Sequence, residues 1–295
     1  MSAYDLYAIG NALVDYECRV SDDELKSLAV DKGLMTLIDA ARRQAILDGL
    51  GERDTHRACG GSAANTVIAL AQMGGRGFYS CRVASDETGD FYMTDLAANG
   101  VTSNLGASNR PDGVTGTCIV LVTPDTERSM NTFLGATADI DHTAIDPSAL
   151  SESAFLYMEG DLVASPTGRA AAIEAHQLAI AHGVQTAMTL SDVNMVTAFK
   201  DGLMEMAAPR VNLLFSNRDE ALLMSETDSI TGAGRALRDS IADTVVITDG
   251  ANGCTVFGAD NTAHFDATQV TAVDSNGAGD MFAGAYLFAL SQGGD

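Results

Sequence analysis

The stretch Val273–Leu290, VDSNGAGDMFAGAYLFAL, sets Gly277, Ala278 and Gly279 against a single carboxylate, Asp280, just before an apolar run. Backbone N–H groups at a helix N-terminus lack intrahelical partners and point at one spot, where the helix dipole adds positive potential. A turn poor in side chains therefore suits an anion such as phosphate, and glycine permits the close approach and unusual dihedrals of such a nest. A carboxylate beside an anion repels it. The same carboxylate is well suited to take a proton from a hydroxyl as that hydroxyl attacks phosphorus. By itself, the string GAGD fits this chemistry and a plain helix cap equally well.

Two further glycine clusters punctuate the chain, CGGSAAN at Cys59–Asn65 and TDGANG at Thr248–Gly253. Each sits just before a helix or just after a strand. No GxxxxGK[ST] is present, which excludes a P-loop, and no GxGxxG follows the first strand, so a dinucleotide fold is not supported. The charge balance, 40 acidic against 17 basic residues for a net −23, would repel a polyanion, so nucleic acid is not expected as a partner. An anionic substrate must then be held by locally gathered positive features, and backbone amides supply them. The acidity fits a saline environment or simply a soluble acidic enzyme. Five scattered cysteines without CxxC spacing fit reduced intracellular thiols, and five histidines without HxxxH spacing give no transition-metal centre. No apolar run is long enough to cross a bilayer and no signal peptide is legible, so the expected compartment is the cytoplasm, with no membrane partner.

The elements that position these clusters follow from periodicity. Tyr4–Gly10, Leu13–Val20, Gly33–Ile38 and Arg76–Ala84 read as strands, and Ser21–Val30, Asp39–Leu50 and Thr88–Asn99 as helices, with Asp39 as an N-cap. Ser62–Met73 is an alanine-rich helix that Ser62 can cap and Gly74-Gly75 stop. Thr117–Thr123 and Ser129–Leu134 flank the turn PDTER and predict a hairpin. From residue 153 the chain alternates regularly. Strands are expected at Phe155–Met158, Thr186–Leu190, Leu213–Ser216 and Val245–Thr248, with a small hairpin at Cys254–Phe257. Helices are expected at Thr167–His182, Asn194–Met206, Asp219–Met224, Thr231–Ile241 and Asp280–Ser291. Such alternation predicts a parallel sheet covered on both faces. The hairpin-like pieces at 13–38 and 116–134 break it and are placed as a small β lid. With no repeat, low-complexity segment or linker, the 295 residues read as one domain.

NGAGD within DSNGAGDMFAGA, together with GGSAANT at Gly60–Thr66, resembles the two signatures of the ribokinase-like (PfkB) family of carbohydrate and nucleoside kinases. Two signatures in order, about 215 residues apart, are far more specific than either alone. GNALVD (Gly10–Asp15), ASDETGDFY (Ala84–Tyr92), NRDEALL (Asn217–Leu223) and VVITDGANG (Val245–Gly253) extend the likeness over essentially the whole chain. GNALVD with ERSMNTFLGA (Glu127–Ala136) leans toward the adenosine kinase-like branch. The resemblance implies a three-layer α/β/α domain over residues 1–295, with a mostly parallel central sheet and lid segments at about 12–38 and 112–135. It implies an ATP-dependent phosphotransferase for the primary hydroxyl of a nucleoside, adenosine first, or of a sugar. Ribokinase, fructokinase or keto-deoxy sugar kinase activity is the alternative, and a non-catalytic ligand-binding member of the same fold a further one.

By the same resemblance Asp280 matches the catalytic base, and Gly277, Ala278 and Gly279 the anion hole for the transferring phosphoryl group. Asn11 and Asp15 match the part that grips sugar hydroxyls, and Gly60, Gly61 and Asn65 the second substrate-contacting cluster. Glu159 and Arg128 are further substrate-contact candidates. Asn217 and Glu220 match the NxxE pattern that organises Mg²⁺, with Glu220 acting through water. Thr248, Gly250 and Gly253 match the nucleotide-side loop at a strand end. ATP and Mg²⁺ are the implied cofactors, with K⁺ as a possible monovalent cation, and the lid edge offers a route to a homodimer. Leu13, Tyr16, Met35, Leu37, Cys118 and Phe133 are candidates for an apolar wall against adenine. Asp274-Ser275 replaces the family's usual Asp-Thr and keeps the hydroxyl. Family members normally continue for some tens of residues beyond this helix, so the resemblance leaves the C-terminal helices after residue 295 missing.

Overall fold

A computed structural model describes residues 2–53, 55–106, 109–259, 261–270 and 277–294. Asp274 and Ser275 lie outside the described residues. The first part of the chain runs β1 (Tyr4–Ile9), β2 (Leu13–Arg19), α1 (Asp22–Ser27), β3 (Met35–Leu37), α2 (Ala40–Leu50), β4 (His56–Gly60), α3 (Ser62–Gln72), β5 (Gly77–Ser80), α4 (Glu87–Ala98), β6 (Val101–Thr102), β7 (Gly116–Val122) and β8 (Arg128–Phe133). After α5 (Pro147–Ser151) come β9 (Ser153–Met158), α6 (Pro166–His182), β10 (Gln185–Thr189), α7 (Val193–Ala207), β11 (Val211–Asn217), α8 (Arg218–Ser225), α9 (Ile230–Ser240) and β12 (Ala242–Thr248). The hairpin β13 (Cys254–Phe257) and β14 (Thr262–Phe265) and the helix α10 (Ala278–Ser291) close the described chain.

Strands such as DLYAI and TVVIT are apolar on both sides because both faces of their sheet are covered. Among the described residues that sheet has the order β14-β13-β12-β11-β10-β9-β1-β5-β6, parallel except where β13 and β14 pair. Tyr7 and Ile9 of β1 enter a core shared with α6, α7 and α9, whereas Leu6 and Ala8 enter a second core with α3, α4 and α10. One strand thus serves two cores, and the three-layer expectation holds. The carboxyl ends of β1, β9, β10, β11 and β12 all point to one edge, where ligands bind in open α/β sheets.

The second sheet, β3-β8-β7-β2-β4, is the lid. Its outer face, carrying Cys18, Ile119 and Leu121, is covered by Leu25 and Leu28 near α1 and by Ile46 and Leu50 of α2. Three expectations are corrected here. The 13–38 piece is not a hairpin: β2 runs parallel to β7 and antiparallel to β4, while β3 pairs with β8. The strand β4, HRACG, is additional, because its short polar start gives no alternation to read. Ser62 does not cap α3; Gly61, with φ of 105°, takes the N-cap position. A Cβ on Gly61 would lie 2.0 Å from the Asn11 carbonyl oxygen, so only glycine fits that crossing.

Candidate active site

The site is assembled by the contact of α10 with α3. A Cβ on Gly284 would lie 2.5 Å from the Thr66 carbonyl oxygen and 2.7 Å from the Ala69 Cβ, so the two helices touch almost backbone to backbone. That approach brings Asp280 to residues 218 and 215 positions earlier. Ser62 Oγ donates to Asp280 Oδ1 at 2.7 Å, and Asn65 Nδ2 donates to Oδ2 at 2.9 Å. Burial pushes the Asp280 carboxyl up, and these two donors oppose the push. Gly277, with φ of 70°, turns the chain into α10, and no side chain caps that helix among the described residues. Beside Gly279 there is open space, with nothing within 4 Å of an added Cβ. The first amides of α10 therefore face a cleft with a half-buried carboxylate at their side.

At the lid side, Asp15 on β2 lies against Gly60 of β4, where an added Cβ would come 2.3 Å from Asp15 Oδ1. Burial raises the Asp15 carboxyl to about 7, against the opposing charge of Arg128 and with help from Asp280 and Glu17. The Arg128 guanidinium donates to Glu17 Oε2 at 3.1 Å, within the lid sheet. Glu159, at the end of β9, is a buried brace. Its Oε1 accepts from Asn11 N at 3.2 Å and Asn11 Nδ2 at 2.8 Å, and its Oε2 accepts from Ala63 N at 2.9 Å. Burial and the neighbouring charge of Asp161 hold its carboxyl above the ordinary range.

At the opposite end, Asn217 and Glu220 form a reciprocal capping box at the start of α8. Glu220 Oε2 accepts from Asn217 N at 2.9 Å, and Asn217 Oδ1 accepts from Glu220 N at 2.9 Å. The cap alone does not account for Glu220, which is 3% exposed, faces the cleft and is raised by burial to about 7. Thr248 Oγ1 reaches the Ser216 carbonyl at 3.4 Å, and Gly250 turns with φ of 53°. Gly253 has a packing reason instead: a Cβ there would meet the Phe265 carbonyl oxygen at 1.9 Å. Ser216 Oγ lines the cleft, is buried, and has no hydrogen-bond partner among the described residues. An orphaned hydroxyl, a hard carboxylate and uncapped helix amides fit a triphosphate with its divalent cation.

Of the residues expected to act in catalysis or to bind the acceptor, nucleotide or Mg²⁺, all but Gly60, Gly253 and Arg128 line one continuous cleft of about 590 Å³. Leu13, Met35, Leu37 and Cys118 line its lid end, joined by Val120, Met130 and Leu134. Tyr16 and Phe133 do not, because strand side chains alternate. Leu13 and Asp15 face the cleft, which turns Tyr16 away to stack under Arg57, its ring 5.9 Å from the guanidinium carbon. Met130 and Thr132 likewise turn Phe133 toward Arg43. The reading of the sequence missed Ser62, Asp161, Ser191, Asp192 and Ser216, all of which line the cleft. Strand ends offered a signal for four of them: Asp161 follows β9, Ser191 and Asp192 follow β10, and Ser216 is near the end of β11.

The family model described as pfkB family carbohydrate kinase matches residues 28–295. Adenosine kinase of Saccharomyces cerevisiae is 29% identical over 311 residues, covering 98% of this chain and 89% of that protein. Aminoimidazole riboside kinase of Salmonella typhimurium is 30% identical over 241 residues, covering 79% of this chain and 74% of that one. Among solved structures, the adenosine kinase of Sinorhizobium meliloti superposes with a TM-score of 0.89 at 34% identity, covering 99% of this chain and 89% of that one. The probable sugar kinase of Rhizobium etli gives 0.90 at 31% identity, covering 100% and 89%. The paired signatures, the lidded three-layer fold and these likenesses agree: the chain belongs to the pfkB family of carbohydrate kinases, on its adenosine kinase-like branch, and is a phosphotransferase acting on a hydroxyl group.

Proposed function

We propose that this kinase transfers the γ-phosphoryl group of ATP to the primary hydroxyl of a neutral nucleoside, with adenosine as the first candidate, and that Asp280 is the base. The observation that carries this reading is the Asp280 carboxylate, held by Ser62 and Asn65 at the uncapped start of α10. The acceptor lies with its sugar hydroxyls at Asp15 and its base against Leu13, Met35, Leu37 and Cys118. Asp280 accepts the proton of the attacking hydroxyl, and the amides of residues 277–279 hold the transferring phosphoryl oxygens. The lid sheet excludes water, so that ATP is not lost to hydrolysis. ATP brings the phosphoryl group and its Mg²⁺ offsets the phosphate charge; Glu220 would hold that ion through water, oriented by Asn217.

Among the described residues, the cleft lining carries Asp15, Glu159, Asp161, Asp192, Glu220 and Asp280 and no Lys, Arg or His. This charge favours an uncharged acceptor and disfavours a keto-deoxy sugar acid. A free sugar such as ribose would use the same Asp15 end but leave the apolar wall uncovered. K⁺ dependence, a homodimer through the edge strands β3 and β4, and residence in the cytoplasm, where the five free cysteines stay reduced, belong to the same proposal.

A phosphoryl-transfer panel with ATP and Mg²⁺ against adenosine, other nucleosides, ribose and fructose tests the acceptor. Asp280→Asn tests the base, with kcat expected to fall by roughly 10²- to 10⁴-fold. A variant that keeps a comparable kcat rules out the role given to Asp280.

A further inference from the structure

Ser62 occupies the first position of α3, where a serine hydroxyl ordinarily bonds to its own helix end. Here three of the neighbouring groups are already matched without it. Thr66 Oγ1 donates to the Ser62 carbonyl at 2.9 Å, Asn65 N donates to the Gly61 carbonyl at 2.9 Å, and Ala63 N is taken by Glu159. The Ser62 hydroxyl instead crosses to the neighbouring helix and donates to Asp280 Oδ1 at 2.7 Å. Asn65, one turn along the same helix, holds Oδ2 at 2.9 Å. The carboxylate is thus gripped at both oxygens from one rigid element, whose distance from α10 is set by the Gly284 contact.

We propose that Ser62 is a positioning residue for phosphoryl transfer, its hydroxyl fixing Asp280 Oδ1 so that the carboxylate stays ionised and aims its remaining lone pairs at the acceptor hydroxyl. This rests on the reading of Asp280 as the base. In the step itself the acceptor oxygen bonds to phosphorus as the bond from phosphorus to ADP breaks, the electron pair leaves with ADP, and the acceptor proton passes to Asp280. Among the described residues, the other titratable groups that sense the Asp280 charge are Asp15 from β2, Tyr157 from β9 and Asp161 from the turn after it. The two acids disfavour an ionised Asp280, and α3 opposes them with two neutral donors. Removing one donor from a half-buried carboxylate therefore moves its titration upward.

The test compares wild type, Ser62→Ala and Ser62→Thr in the kcat/KM-against-pH profile with adenosine, beside carbon-13 NMR titration of the Asp280 carboxyl, assigned by its loss in Asp280→Asn. The NMR arm needs no acceptor. In Ser62→Ala both the acid limb and the carboxyl titration are expected to rise by about one pH unit, which corresponds to about 1.4 kcal/mol. The plateau kcat should fall several-fold with the acceptor KM unchanged, and Ser62→Thr should restore both measurements. A Ser62→Ala titration that overlays wild type overturns the proposal, as does a raised acceptor KM with kcat intact, which would make Ser62 a direct acceptor contact. An active Asp280→Asn would instead sink the base assignment, an outcome distinct from either.

Discussion

Gly60→Ala is the sharpest test of how the acceptor end is built. The added methyl would sit 2.3 Å from Asp15 Oδ1, 2.5 Å from its Cγ and 2.6 Å from Oδ2. Carbon and oxygen need well over 3 Å between them, so the carboxylate must move by roughly 1 Å. A hydrogen bond of ordinary length stretched by that much is lost. A hydrogen bond to a charged group is worth about 1.5–3 kcal/mol, or roughly a 10- to 150-fold fall in kcat/KM for the acceptor, expressed mainly in KM. Gly60 lies in a strand and its φ is not among the positive ones, so alanine brings no backbone strain of its own. The assay is steady-state kinetics at saturating ATP on Gly60→Ala, Asp15→Asn and the double variant. If Gly60 acts only by making room for Asp15, the double variant is no worse than Asp15→Asn alone. Gly60→Ala kinetics within threefold of wild type, or losses that multiply fully in the double variant, would refute this reasoning.

Two further outcomes follow from the same geometry. Gly284→Val drives a side chain into the Thr66 carbonyl and the Ala69 methyl; it should lower stability by roughly 1–3 kcal/mol in urea unfolding, and a midpoint equal to wild type would mean that α10 and α3 do not touch this closely. Glu220, raised from its ordinary 4.5 to about 7 by burial, keeps in the native state a proton that the unfolded chain releases, so it makes stability fall as pH rises between those values. Glu220→Gln should flatten that slope in unfolding measured from pH 4.5 to 7.5, and an unchanged slope would show that Glu220 is ionised throughout.

Much of this molecule was legible without coordinates because its signals are local. Apolar runs in TCIVLVT and FLYME, the stop at Gly74-Gly75 and the Asp39 cap each depend on neighbours a few residues away, and each stands in the fold where it was expected. Of the two signature glycine clusters, Gly61, Ser62 and Asn65 of the first and Gly277, Ala278, Gly279 and Asp280 of the second line the cleft, and Gly60 shapes it from behind. The errors are of another kind. Tyr16 and Phe133 were set on the cleft by being apolar, whereas strand parity had already turned them away. Ser62 read as a cap because serine before an alanine-rich helix usually is one, and the long-range partner that takes its hydroxyl leaves no trace in the neighbouring sequence.

The sequence by itself determined the α/β alternation, the acidic balance, the family and the types of group at the site, since these rest on composition, period and short motifs. Only the tertiary structure decided which carboxylate is gripped by Ser62 and Asn65, why Gly60 must lack a side chain, and that Asp280 and Glu220 sit raised by burial at opposite parts of one cleft. The physical reason is that distance and desolvation belong to pairs of groups brought together by packing. Ser62 and Asp280 are 218 residues apart along the chain and 2.7 Å apart in the fold, and the contact of two helices at Gly284 sets the second number.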